Sequence, residues 1–295
     1  MLHNSQKDFI RRHIGPSEKD QEKMLKDLNF KSLDEFINST IPEKIQFKGE
    51  LNIGEPNSEY EALRKLKAIS KKNQIYSNFI GMGYYGTYTP YVILRNILEN
   101  PGWYTSYTPY QPEVAQGRLE MLLNFQQMIV DFTGMDIANA SLLDEGTAAA
   151  EAMGLSHRLN KSDSNLVFVS ENCHPQTIDV IQTRAEPMGL KVLVGNEDKV
   201  LEQLKEDIVC GVLQYPGTLG DIKDPSEAIS KIHKKNGKAI LVCDLLALSM
   251  LKTPRELGAD IAVGSSQRFG IPMGYGGPHA AFFATKDEYK RSMPG

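Results

Sequence analysis

The chain has 295 residues, of which 41% are hydrophobic and 24% are charged. This length is enough for one large domain with an appendage, or for two modest domains. The formal net charge of −4 offers no basic excess for nucleic acid or anionic lipid. No apolar run reaches the ~20 residues of a membrane-spanning helix, so we expect neither a nucleic-acid partner nor a membrane partner.

The cysteines and the first residues of the chain indicate in which cellular compartment the protein is located. Cys173, Cys210 and Cys243 are far apart and odd in number, so the sequence predicts neither a zinc site nor a disulfide framework. The N-terminus lacks the apolar segment of a secretory signal. We expect a cytoplasmic protein without a metal site.

Residues 1–73 predict a polar, helical N-terminal arm. Ser17 followed by Asp20 is typical of a helix start. Residues 59–72 predict a second helix, since Leu63, Leu66 and Ile69 fall on one face at helical spacing. The arm by itself indicates no chemistry.

An aromatic segment follows, rich in glycine and proline turns. Between residues 84 and 110 it contains Trp103 and seven tyrosines: Tyr84, Tyr85, Tyr88, Tyr91, Tyr104, Tyr107 and Tyr110. Rings in turns, rather than at helical spacing, suit a pocket wall or an interface that uses both the ring and the hydroxyl. We take Tyr84, Tyr85, Tyr107 and Tyr110 as candidates for a substrate pocket, with simple packing as the alternative.

The remainder alternates between strand and helix patterns. After a helix predicted at 113–133, apolar runs predict strands at 166–169, 191–194, 208–213, 239–243, 261–263 and 280–284, with helices at 176–188, 198–207 and 225–236. Such alternation predicts βαβ units and a mostly parallel sheet. We therefore expect a large α/β domain over residues 74–295, and the sequence looks truncated at its C-terminal end.

Residues 81–86 match the GxGxxG pattern of dinucleotide-binding proteins. Pro90 falls where the required helix would run, and no acidic residue follows at the end of a second strand about 20 residues on. We reject this interpretation.

Four other residues are candidates for a ligand site. Gly146 and Thr147 open a helix whose N–H groups could hold a phosphate, although an ordinary capped helix has the same pattern. His174 and Asp244 each follow a predicted strand, and ligands of open parallel sheets lie beyond the carboxyl ends of the strands. An imidazole could stack on a cofactor ring and a carboxylate could hold a pyridine nitrogen, although either residue could be structural.

Four segments together carry a family resemblance. They read FIRRHIGP at 9–16, GYYGTYTPYVILR at 83–95, ENPGWYTSYTPYQPEVAQGR at 99–118 and SSQRFGIPMGYGGPH at 265–279. They resemble the N-terminal half, or first subunit, of the decarboxylating glycine dehydrogenase family. The resemblance implies the large domain of a fold-type-I pyridoxal-phosphate enzyme, aminotransferase-like, behind a helical arm.

The same resemblance implies an activity and partners. In that family glycine is decarboxylated on pyridoxal phosphate, and the aminomethyl group passes to a lipoyl carrier protein of the H-protein type. Two related halves or subunits make up the enzyme, and the second binds the cofactor through a lysine. The implied partners are that cofactor-bearing half, the lipoyl carrier and a symmetry mate in an oligomer.

In fold-type-I enzymes the loop at 264–279 usually carries the Schiff-base lysine. Here Gln267 or Arg268 falls at that position, depending on the direction of counting, and neither side chain forms an imine. The resemblance therefore implies a degenerate half that shapes the site without a catalytic residue of its own. His174, Asp244, Gly146 and Thr147 would then be a degenerate cofactor site.

Two alternatives stay open from the sequence. One is a self-sufficient pyridoxal-phosphate enzyme that uses another lysine, such as Lys252. The other is a non-catalytic scaffold or binding subunit.

Overall fold

The computed structural model describes Arg12, His13 and residues 15–294. Two compact units divide the chain, the first ending at Ser77 and the second beginning at Asn78. The assignment of 1–73 and 74–295 as domains stays a prediction. Within the first resembling segment, residues 9–11 and 14 lie outside the described part.

Among the described residues of the first unit are three helices with serine caps. They are α1 (Glu18–Asp27), α2 (Leu33–Thr40) and α3 (Glu59–Ser70). Ser17, Ser32 and Ser58 each accept a hydrogen bond from a backbone N–H in the first turn, which satisfies a donor that the helix itself cannot. At α1 the Asp20 carboxyl also accepts from the Ser17 backbone N–H, so the predicted helix start is confirmed.

A mixed sheet forms the centre of the second unit. Its strands are β1 (Ile137–Ala138), β2 (Leu166–Ser170), β3 (Lys191–Gly195), β4 (Cys210–Tyr215), β5 (Lys238–Cys243), β6 (Ile261–Ser265) and β7 (Ala281–Thr285). In the part of the chain that the structure describes, their order is β1-β7-β6-β5-β4-β2-β3. Strands β2 to β6 pair in parallel, whereas β7 runs antiparallel to both β6 and β1.

Helices cover both faces of this sheet. The longer ones are α4 (Gln116–Thr133), α5 (Glu145–Leu159), α6 (Pro175–Ala185), α7 (Glu197–Gln203) and α8 (Ser226–Lys234). Because side chains alternate along a strand, Val167 and Val169 pack with α5 and α6, while Phe168 packs on the other face with α4 and α8. The predicted α/β fold with a mostly parallel sheet is confirmed.

The structure adds what periodicity could not supply. The last predicted strand, 280–284, corresponds to β7. Its antiparallel direction could not be predicted, because a short apolar run does not indicate strand direction. Strand β1 has two residues, too few to produce a pattern. Strand β4 begins at Cys210, two residues later than the predicted strand at 208–213, although Ile208 and Val209 are buried as expected.

A buried carboxylate fixes the amino edge of the sheet. Asp260 is 3% exposed and precedes β6. Its Oδ2 lies 2.8 Å from His233 Nε2 and accepts the Ala239 N–H at 2.8 Å, while Oδ1 accepts from Lys286 Nζ at 2.5 Å. Burial by itself would raise the pKa of Asp260, but these hydrogen bonds outweigh it and hold the pKa at about 2. One carboxylate thus ties α8, β5 and the segment after β7 together.

We predict that Asp260→Asn lowers the free energy of unfolding by about 2 kcal/mol, the equivalent of the depressed pKa. This stabilisation is present above the ordinary pKa of 3.8 and is lost as pH falls from there towards 2. Urea titrations at neutral and acid pH measure it. The matched control is Asp287→Asn, since Asp287 is exposed and its carboxylate pairs with exposed Lys290. Equal stability of the two variants would contradict the role of Asp260.

Candidate functional site

Loops from the carboxyl ends of β2, β4, β5 and β6 meet at one edge of the sheet. With the start of α5 and the aromatic segment they line a small pocket, whose wall includes His174, Asp244, Arg268, Glu145 and Tyr85. The space left between these side chains is about 20 Å³, room for about one water molecule.

His174 is held rigidly at this edge. It directly precedes α6 and is 2% exposed, with Nδ1 at 3.0 Å from the Thr218 hydroxyl. Gly83 passes so close that a Cβ there would lie 2.8 Å from His174 Cδ2. Burial lowers the pKa of His174 to about 4, so the imidazole is neutral at neutral pH.

Glu145 lies beside this imidazole and is also mostly uncharged. Burial, and after it the negative charge of Asp244, raises the pKa of Glu145 to about 8. Glu145 Oε1 lies 3.8 Å from His174 Nε2. At neutral pH the contact therefore joins two neutral groups and is not an ion pair.

A bidentate ion pair forms part of the pocket wall. Asp244 follows β5 and Arg268 follows β6, and Arg268 donates from Nε to Oδ1 and from Nη2 to Oδ2, both at 2.8 Å. Both side chains are 19% exposed. The guanidinium Cζ also lies 4.2 Å from the centroid of the Tyr85 ring, a cation–π contact.

The start of α5 is already capped. The Asp144 carboxyl accepts the Thr147 N–H at 2.7 Å, so it occupies a position that a phosphate would need. Gly146 packs against α6, since a Cβ there would lie 3.2 Å from Val180 Cγ2.

As arranged, these residues do not fit pyridoxal phosphate. No lysine stands at 267 or 268, a phosphate at α5 would meet the Asp144 carboxyl, and Arg268 takes both oxygens of Asp244. Cofactor binding by His174, Asp244, Gly146 and Thr147 stays a prediction, and the geometry weighs against it.

The four candidate tyrosines take different positions. Tyr84 is 39% exposed and stands edge-on to His279 at 5.8 Å between ring centroids, and burial raises its pKa. Tyr85 faces inward onto Arg268. Tyr107 and Tyr110, each 76% exposed, contact each other at 6.0 Å, and neither lines the pocket described above.

Four residues at this edge were not predicted from the sequence as site residues: Glu145, Gln176, Thr218 and His279. Thr218 follows β4, so the rule that ligands lie beyond carboxyl ends could have found it. Glu145 sits inside the helix start that was singled out, and His279 ends a segment that carries the resemblance. Nothing in the local sequence marks Gln176, whose Nε2 donates to the Met82 carbonyl at 2.7 Å.

Other candidate groups do not gather at this edge. Lys252, the alternative Schiff-base lysine, is exposed and does not line the pocket. Across the described residues, no three His, Cys, Asp or Glu side chains cluster as a metal site would need. No described helix has the length and apolar character needed to cross a membrane.

Comparison with known proteins decides the family. The model of the glycine cleavage system P-protein family matches residues 11–295. The chain belongs to the P-protein family.

Relatives within the P-protein family are much longer. The chain is 81% identical over 295 residues to glycine dehydrogenase (decarboxylating) of Pelagibacter ubique (strain HTCC1062), covering 100% of this chain and 31% of the relative. It is 56% identical to the enzyme of the same name from Stutzerimonas stutzeri (strain A1501), over 97% of the chain and 30% of that protein. The chain thus spans less than a third of these relatives.

Solved structures agree with the fold. A crystal structure of glycine decarboxylase (P-protein) of the glycine cleavage system, in inhibitor-bound form, matches with a TM-score of 0.85 and 33% identity, over 95% of this chain and 64% of that one. A sphingosine-1-phosphate lyase from Burkholderia pseudomallei K96243 shares the fold alone, with a TM-score of 0.61 and 12% identity over 84% of this chain and 62% of that one.

We predict that the chain mixed with pyridoxal phosphate shows no imine absorbance. Borohydride should leave no stoichiometric pyridoxyl adduct, because Gln267 and Arg268 offer no primary amine. Mass spectrometry of peptides measures this, with Lys252→Ala as the control for scattered surface labelling. One stoichiometric adduct at a single lysine would contradict the prediction.

Proposed function

We propose that this chain is the part of a decarboxylating glycine dehydrogenase that lacks the Schiff-base lysine and that it completes an active site whose cofactor is held elsewhere in the enzyme. The reaction is decarboxylation of glycine with transfer of the aminomethyl group to a lipoyl carrier protein. The observation that carries the proposal is the Asp244–Arg268 pair, in which a residue expected at the Schiff-base position binds both oxygens of the carboxylate expected to meet a cofactor ring.

The small share of the relatives that the chain covers supports an active site built from this chain and a further part of the enzyme. The Pelagibacter ubique relative extends well beyond the 31% matched here. We propose that the remaining part carries the pyridoxal phosphate and its lysine. Pyridoxal phosphate supplies an electron sink when bound there, and the present chain contributes surface and positioned side chains.

Exposed apolar residues support a contact with that remaining part. Many of them lie in residues 79–114, where those at least 72% exposed are Phe79, Ile80, Tyr88, Tyr91, Tyr107, Tyr110 and Val114. Apolar surface of this extent is typical of an interface. We propose that the cofactor-bearing half covers it, with the lipoyl carrier and a symmetry mate as further partners.

Carbon dioxide release from carboxyl-labelled glycine tests the proposed activity. The complete protein, supplied with pyridoxal phosphate and a lipoylated carrier, should release the label. The remaining part without residues 1–295 should release far less. An equal rate without this chain would favour a scaffold role, and no release by the complete protein would overturn the proposed activity.

Within the aromatic segment, we predict that at least one of Tyr84→Phe, Tyr107→Phe and Tyr110→Phe lowers kcat or raises the KM for glycine about tenfold in the complete enzyme. The expected cause is loss of one hydrogen bond in the site. Steady-state kinetics measures it, and circular dichroism verifies folding. Tyr60→Phe in the first unit is the matched control. Unchanged kinetics in all three variants would favour the packing alternative.

A further inference from the structure

Residues 83–89 begin at a turn, where Gly83 has φ of +85°, and then alternate in exposure. Tyr84, Gly86 and Tyr88 are exposed, and the residues between them are partly buried. Such alternation places successive side chains on opposite sides, and Tyr85 and Thr87 on one side line the pocket.

The inward face is fastened at successive points. Gly83 lies against His174, and Tyr85 lies on the guanidinium of Arg268. The Thr87 hydroxyl donates to the Ile271 carbonyl at 2.7 Å, and the Thr89 hydroxyl donates to the Gly270 carbonyl at 2.5 Å.

The loop after β6 is shaped to receive this segment. Gly270 has φ of +111°, a conformation that side chains disfavour, and a Cβ there would lie 3.0 Å from the Tyr88 carbonyl. Loop and segment therefore approach backbone to backbone, with Arg268 at the start of the same loop.

We propose that Arg268 is a positioning residue, which holds Tyr85 and thereby orients the segment 83–89 so that Tyr84 and Tyr88 face the active site completed by the rest of the enzyme. This inference rests on the proposed function. The pocket that would hold a cofactor in a related fold instead anchors the aromatic segment.

The chemistry of arginine suits this task. Its planar guanidinium donates two parallel hydrogen bonds to Asp244 from one edge and offers a flat face to the Tyr85 ring. The two hydrogen bonds to Asp244 fix the plane of the guanidinium group, and that plane sets the position of the Tyr85 ring stacked on it. A neutral glutamine keeps part of the length but provides neither the bidentate charge nor the cation–π contact.

Arg268→Gln in the complete enzyme tests the proposal, with chymotrypsin as the probe because it cleaves after tyrosine. We expect cleavage after Tyr85, mapped by mass spectrometry, to become about tenfold faster as the anchored segment loosens. The kcat for glycine should fall by a similar factor, while the bound pyridoxal phosphate per enzyme stays unchanged.

Arg255→Gln is the matched control. Arg255 also makes an ion pair, at 3.4 Å with Asp136, but it is 45% exposed and lies outside the pocket. We expect its cleavage rate and kcat to equal those of the wild type.

A second pair of variants guards against poor folding of Arg268→Gln. In this pair the measured rate is cleavage after Tyr88, which both variants keep: Tyr85→Phe retains the ring and should match the wild type, whereas Tyr85→Leu removes the ring and should raise that rate.

Cleavage after Tyr85 that is equally slow in Arg268→Gln and Arg255→Gln, or cleavage after Tyr88 that is equally slow in Tyr85→Leu and Tyr85→Phe, would overturn the positioning role. Failure of the wild-type enzyme to release carbon dioxide from glycine would instead overturn the proposed function, and the cleavage rates would still decide the role of Arg268.

Discussion

The ion pair between Asp244 and Arg268 is the contact on which the arrangement of this edge depends. It joins the loops that follow two adjacent strands, occupies both carboxylate oxygens and gives Tyr85 a flat cation to stack on. A half-buried carboxylate needs such a partner, since an unpaired buried charge is costly. The same pairing leaves the space too small and too fully bonded for a cofactor ring.

The side chains around the ion pair carry little charge of their own. Burial keeps His174 neutral and Glu145 mostly protonated at neutral pH, so the charge at the centre is confined to the ion pair. At the opposite edge, Asp260 holds the amino ends of the strands by hydrogen bonds. The sheet is thus fastened at both edges, and the aromatic segment docks onto a rigid surface.

Strand and helix periodicity predicted the α/β fold, because buried parallel strands are short apolar runs separated by helical patterns. The strand-end rule correctly picked His174 and Asp244 as residues of one edge. It could not show that Arg268 pairs with Asp244, nor that Tyr85 stacks on Arg268 while Tyr84 packs against His279. Those facts depend on how separate loops meet in space, and Gln176 escaped notice for the same reason.

The most direct test of the central claim is the amount of pyridoxal phosphate in the complete enzyme. Released cofactor is measured by absorbance after alkaline denaturation and divided by the number of copies of residues 1–295. We expect one pyridoxal phosphate per copy, held by the remaining part of the enzyme. Two per copy, with the second contacting Asp244 or Arg268, would contradict it.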